Sequence, residues 1–198
     1  MPRKGWIYLC LLALIWAPSP VSAGPFTFTR GKKEIGLAGG GGFSHDVGDR
    51  PALTLVTTAA PRWGYFLANV HGRHRGSFEL VLEGVPLFLT FDDDTIYGLG
   101  FNLMAKYNFR TGGRVMPFVM AGAGFLLTSD RPRNRNSQFN ASQFNFTPQG
   151  GLGVSIFIKE RASLNLEYRL HHVSDAGITA RNPGLDSSIF LVGFSIFY

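Results

Sequence analysis

Ala162-Ser163-Leu164-Asn165-Leu166-Glu167-Tyr168-Arg169-Leu170-His171-His172-Val173-Ser174 alternates apolar and polar side chains over thirteen positions. Ala162, Leu164, Leu166, Tyr168, Leu170, His172 and Ser174 share one parity. Ser163, Asn165, Glu167, Arg169, His171 and Val173 share the other. Successive side chains of a strand point to opposite faces, so this stretch is one strand with an apolar and a polar face. It is long for a soluble sheet. It suits a tilted membrane-spanning strand of about 9–11 residues, apolar toward lipid and polar toward a lumen.

The same pattern recurs outward from it. Eight strands are expected, at Glu34–Phe43, Thr54–Leu67, Ser77–Leu89, Thr95–Phe109, Val115–Thr128, Ser142–Ile158, Arg161–Ser174 and Ser187–Tyr198. No segment shows a sustained helical period. In the sixth, Phe144, Phe146, Leu152, Val154, Ile156 and Ile158 share a face. In the fourth, Tyr97, Leu99, Phe101, Leu103, Ala105, Tyr107 and Phe109 oppose Asn102, Lys106 and Asn108. Glu79 and Glu83 alternate with Phe78, Leu80 and Leu82 in the third. The fifth is apolar on both faces, and its inward side cannot be assigned.

The first residues read differently. Arg3 and Lys4 precede an apolar run from Gly5 to Ala17, and Val21-Ser22-Ala23 is a small-x-small cleavage signal. Residues 1–23 are therefore expected to be an export signal and residues 24–198 one barrel domain. A permanent anchor helix would need about 20 apolar residues, and Pro18 and Pro20 shorten this run. The one cysteine, Cys10, lies in the signal, so disulfides do not support the exported chain. Removing Arg3 and Lys4 from 19 basic residues leaves 17 against 13 acidic ones, a net charge of +4. That mild excess suits anionic lipid headgroups and not nucleic acid. No later segment has the apolar run of a membrane helix, so a membrane-embedded chain must be a closed barrel. The final strand carries Phe190, Val192, Phe194, Ile196 and Tyr198 on one face. It resembles the aromatic-terminated last strand of bacterial outer-membrane barrels. The alternative is the edge strand of a soluble sandwich. Export, absence of cysteine, strand count and this terminus together point to an all-β, eight-stranded antiparallel transmembrane barrel.

Such barrels have short periplasmic turns and longer external loops. With both termini periplasmic, the external loops fall near Ser44–Arg50, Asp92–Asp94, Ser129–Ala141 and Asp175–Asp186. The opening stretch then ends at the outer surface. Its apolar parity turns polar at His172 and Ser174, which should lie side by side on the lipid face. Polar groups facing hydrocarbon cost free energy unless they are paired or lie near the interface. Spacing alone is compatible with a polar strand end at headgroup level. His171, on the lumen side, can join Glu167 and Arg169.

His172-Val173-Ser174-Asp175-Ala176-Gly177, followed by Asn182-Pro183-Gly184-Leu185-Asp186, resembles the signature of the outer-membrane lipid A 3-O-deacylases, the PagL type. The sharp match covers about fifteen residues; the rest agrees in strand count and layout. The resemblance implies an eight-stranded barrel that hydrolyses the 3-O-acyl ester of lipid A, a serine esterase that needs no cofactor. Ser174 would be the nucleophile, His172 its general base and Asp186 the residue that orients the imidazole. Backbone N–H groups around Ala176 and Gly177, the Asn182 side chain and Asp175 are the candidates for oxyanion or substrate positioning. Two positions depart from the family, which usually has Glu at Asp186 and Asn at Asp175. Asp is shorter than Glu by one C–C bond, about 1.5 Å. An ionised Asp175 cannot donate a hydrogen bond as Asn does.

Other features are weaker. Arg131, Arg133 and Arg135 could contact lipopolysaccharide phosphates. Gly39-Gly40-Gly41-Gly42 lacks the Lys-Ser/Thr and helix of a phosphate loop and should let the first strand bend. Asp92-Asp93-Asp94 reads as a polar turn. His71 and His74 have no partner carboxylate or cysteine, so no metal site is expected. The implied partners are lipid A and the outer membrane, with no nucleic acid. Oligomeric state stays open, a homodimer included. The competing reading is a non-catalytic structural or adhesion barrel, and a lumen-gated channel is the third.

Overall fold

A computed structural model of the chain describes residues 28–45, 55–71, 75–91, 95–129, 142–179 and 184–198. Its strands are β1 (Lys33–Ser44), β2 (Leu55–Val70), β3 (Gly76–Phe91), β4 (Thr95–Phe109), β5 (Val115–Thr128), β6 (Phe144–Phe146), β7 (Gln149–Lys159), β8 (Ala162–Val173) and β9 (Leu185–Phe197). Each is antiparallel to its neighbours, and β1 pairs with both β2 and β9. The sheet therefore closes, with β6 and β7 forming one stave of an eight-stranded barrel. Closure leaves no sheet edge, the condition a β-structure must meet in hydrocarbon.

The sixth strand, expected as one run over Ser142–Ile158, is interrupted at Thr147-Pro148. Proline has no N–H for the ladder. Register is nevertheless kept on both sides. Phe146 and Gln149 face Phe125 and Gly122 of β5, and Ser174 and His171 on the β8 side.

The alternation sets the two surfaces. On β9, Val192 is 61% exposed and Leu191 is 2% exposed. An outward belt of such apolar side chains is what a lipid-facing wall requires. The interior holds two charged clusters. Arg169 binds Glu83 through both terminal nitrogens, at 2.8 and 2.7 Å, and reaches Glu167 at 2.9 Å. Arg62, directly across from Glu83 in the β2–β3 register, bridges Glu83 and Glu167. Lys106 lies 2.8 Å from Glu34 and 3.1 Å from Glu79, whose carboxylate also accepts from Asn108. The ambiguous fifth strand turns Met116, Phe118 and Met120 inward. Phe118 and Met120 pack with Val81 and Met104, so one part of the lumen is apolar. The end nearer the termini is filled by Phe66, Met116, Phe157 and Phe197, with Phe28 against them.

Gly40 and Gly42 allow close approach more than bending. A Cβ on Gly42 would meet the Ser188 carbonyl oxygen at 1.7 Å, and one on Gly40 the Phe190 oxygen at 2.0 Å. Glycine lets β1 and β9 close the barrel beside the site described next.

Candidate active site

The last outward positions of β8 are His172 and, just past the strand, Ser174. His172 donates its backbone N–H to the Pro148 carbonyl at 3.0 Å. Ser174 exchanges backbone hydrogen bonds with Phe146, at 2.7 and 3.1 Å. The break at Pro148 thus sits opposite the site, and β6 and β7 hold its backbone on either side. Across β9, Asp186 is directly opposite His172 in the register. His172 Nδ1 lies 2.6 Å from Asp186 Oδ1. An ionised carboxylate only accepts, so with Asp186 charged the ring carries its proton on Nδ1, and Nε2 is left as a base. His172 is half-buried and Asp186 exposed. Backbone carbonyl oxygen of Asp186 accepts from the His45 N–H at 2.7 Å, which ties the end of β1 to the site.

Ser174 is on the same face, next along the strand. Among the described residues its hydroxyl makes no hydrogen bond to His172. Catalytic hydrogen bonds in unliganded enzymes are often long and tighten on substrate binding. Gly184 backs the imidazole. It has φ of 72°, and a Cβ there would lie 3.0 Å from His172 Cε1.

The turn after Ser174 departs from what the sequence suggested. Asp175 was a candidate to touch the oxyanion or substrate, but it is fully buried. Its Oδ1 accepts the Gly177 N–H at 2.9 Å, and its Oδ2 accepts the Thr179 N–H at 3.2 Å and the Thr179 hydroxyl. Strand parity turns it inward while Ser174 faces out, so it braces the turn and does not touch the outer face. Gly177 spends its N–H on that carboxylate. Ala176 has φ of 55° and Gly177 82°, a left-handed pair held by these bonds. A non-glycine residue in that region stores strain of order 1–3 kcal/mol. His171 lies on the lumen side with Arg169 as expected; its ring is tilted against Phe88, centroids 5.7 Å apart, and its Nδ1 makes no hydrogen bond among the described residues.

An open groove beside the site is lined by His45, Pro148, Gly150, Leu170, His172 and Asp186. Sequence reading missed His45 and Gly184 as neighbours of His172. Asn182, His74, Asp92 to Asp94, Arg131, Arg133, Arg135 and the 1–23 segment lie outside the described residues.

Closed β-barrels of the outer membrane are the class to which these features belong. The crystal structure of the outer-membrane enzyme PagL matches with a TM-score of 0.58 at 19% identity, over 81% of this chain and 97% of that one. The N-terminal barrel domain of Pseudomonas aeruginosa OprF gives 0.56 at 17% identity, over 85% and 98%. Neisserial surface protein A gives 0.54 at 16% identity, over 84% and 97%. At these identities the likeness shows the fold alone. Comparison with the curated proteins finds no match. The sequence profile described as lipid A 3-O-deacylase (PagL) matches residues 54–195. The chain belongs to this family.

Proposed function

We propose that this chain is a lipid A 3-O-deacylase working as a serine esterase in the outer leaflet of the outer membrane, exported by a cleaved signal at residues 1–23. The observation that carries the reading is the 2.6 Å contact of His172 with Asp186 on the outward, lipid-facing wall, two positions from Ser174. A substrate whose ester lies at the membrane surface can reach that wall without entering the filled lumen.

Ser174 Oγ attacks the acyl carbonyl carbon, and its proton passes to His172 Nε2. Asp186 stabilises the imidazolium and keeps the ring oriented. The tetrahedral oxyanion is met by donors of the segment after Ser174, where the Ala176 N–H and the Asn182 side chain are the candidates. Collapse breaks the bond to the sugar 3-oxygen, which takes the proton from His172. Water, deprotonated by His172, then attacks the acyl-Ser174 carbonyl; the bond to Ser174 Oγ breaks, Oγ takes the proton back from His172, and the fatty acid leaves. No cofactor is needed.

The reading is tested by expressing the protein in cells whose lipid A retains its 3-O chain and weighing the extracted lipid A by mass spectrometry. Loss of one hydroxyacyl chain is expected. Unchanged lipid A with the barrel inserted and folded would instead favour a structural or adhesion barrel.

Two substitutions probe the pair more finely. Asp186→Asn removes the acceptor that selects the tautomer and is expected to lower kcat about a thousandfold, whereas Asp186→Glu keeps it and should retain most activity. Equal rates for the two would remove Asp186 from the mechanism. Gly184→Ala forces a side chain at positive φ, costing about 1–2 kcal/mol, and pushes Cβ toward the imidazole. Its kcat is expected to fall at least tenfold with a small loss in unfolding midpoint. An unaltered rate would show that the ring has room to move.

A further inference from the structure

Three polar side chains, from β8, β9 and the residue just past β1, meet on the lipid-facing wall beside the site. Ser188 Oγ lies 2.9 Å from Tyr168 OH and 2.9 Å from His45 Nε2. By parity Ser188 faces outward with Asp186 and Phe190, yet it is only 4% exposed, because Tyr168 and His45 cover it. Its neighbours on that wall are apolar and open: Leu170, directly across from it on β8, and Phe190. The rung above pairs His172 with Asp186. The two rungs are about 7 Å apart along the strands.

Polar groups on a wall that meets hydrocarbon are costly unless paired, and apolar residues would stand there at no such cost. A tyrosine that merely anchors the barrel at the interface sends its hydroxyl to the headgroups and needs neither a serine nor a histidine. Here the tyrosine hydroxyl is aimed along the wall at Ser188, and His45 also lines the groove beside His172 and Asp186. Ser188 is covered and holds the other two in place; the Tyr168 hydroxyl, with one donor and two acceptor positions, keeps acceptor capacity beyond its bond to Ser188. With Nε2 accepting from Ser188, His45 keeps an Nδ1–H to give. Such a set takes a neutral group that both donates and accepts.

We propose that Tyr168, Ser188 and His45 form a hydrogen-bonding ledge that positions lipid A by a neutral amide or hydroxyl at the head of an acyl chain next to the scissile one. This rests on the reading of Ser174 and His172 as the deacylation site. Chains attached to adjacent carbons of one sugar ring lie side by side, so the polar head of a neighbouring chain falls close to the ester being cleaved. The ledge residues position the substrate and take no part in the chemical step. Substrate lacking that polar group would leave the ledge unfilled and bind less well.

The test measures binding of monosaccharide lipid A analogues in micelles to folded Ser174→Ala protein, with and without Tyr168→Phe or Ser188→Ala. Three analogues are compared: amide-linked with a 3-hydroxyacyl chain, the same without the hydroxyl, and the same with an ester in place of the amide. Both variants are expected to weaken binding of the first about 3- to 10-fold, the worth of one uncharged hydrogen bond. Disappearance of that effect with the second analogue assigns the ledge to the hydroxyl, and with the third to the amide. Undiminished binding of the first analogue, or equal weakening of all three, overturns the proposal. In the Ser174 enzyme the same variants should raise KM by that factor and leave kcat within about twofold; a fall in kcat at unchanged KM also overturns it. If the Ser174 enzyme does not hydrolyse lipid A, the deacylase reading fails, while the binding comparison still decides the ledge.

Discussion

Ser174→Ala is expected to lower kcat for lipid A deacylation by at least about a thousandfold, with the barrel still folded and inserted. Ser174 lies on the outer wall beyond the last rung of β8, so trading its hydroxyl for hydrogen leaves no buried polar group behind. The loss would be in chemistry and not in stability. His172→Ala should cost as much, because a serine hydroxyl without a base is a poor nucleophile. Groups that act as a unit are strongly non-additive, so the double variant should be no slower than either single one. Rates come from single-turnover release of fatty acid, with folding checked by heat-dependent mobility on gels. Additive losses would mean that Ser174 and His172 act independently, a result the proposed mechanism does not survive.

The second large effect is expected deep in the lumen. Arg169→Leu should destabilise the barrel by about 3–5 kcal/mol, the usual consequence of removing one partner from a buried ion pair. Arg169 meets Glu83 through both terminal nitrogens, Glu167 and the Gln149 side chain, all in the buried interior. Its removal leaves two carboxylates to share Arg62. The adjoining backbone carries His172 on the other face, so the same cluster stiffens the wall behind the site. Urea unfolding of the protein in vesicles measures the change. The double variant Arg169→Leu with Glu83→Leu removes charges of both signs and should recover part of the loss. A double variant as unstable as the sum of the two single ones would show that the ion pair itself contributes nothing.

Period-two alternation made the barrel legible, because a strand that meets lipid on one side and a filled lumen on the other must change polarity at every residue. That signal separated His171 from His172 and placed Ser174 with the latter. It failed on β5, where Met116, Phe118 and Met120 face a lumen patch that is itself apolar. Pro148 interrupted a stave that sequence showed as continuous, because its missing N–H ends the local ladder without disturbing the register.

The site was legible in its family-like residues and not in its support. Spacing placed Asp186 near His172 only through resemblance; the register of β8 against β9 puts them opposite each other. Asp175 reads like a site residue because it adjoins Ser174. Adjacency along a strand means opposite faces, and burial makes it the brace of the turn. His45 and Ser188 carry no motif: the closure of β1 onto β9 brings His45 to the site, and the register of β8 against β9 brings Ser188. The amino-acid sequence by itself determined the strand count and the lipid and lumen faces, which follow from local alternation. Only the tertiary structure decided which side chains touch across strands, because contacts between residues more than a hundred positions apart depend on register and closure, and neither is written in any single segment.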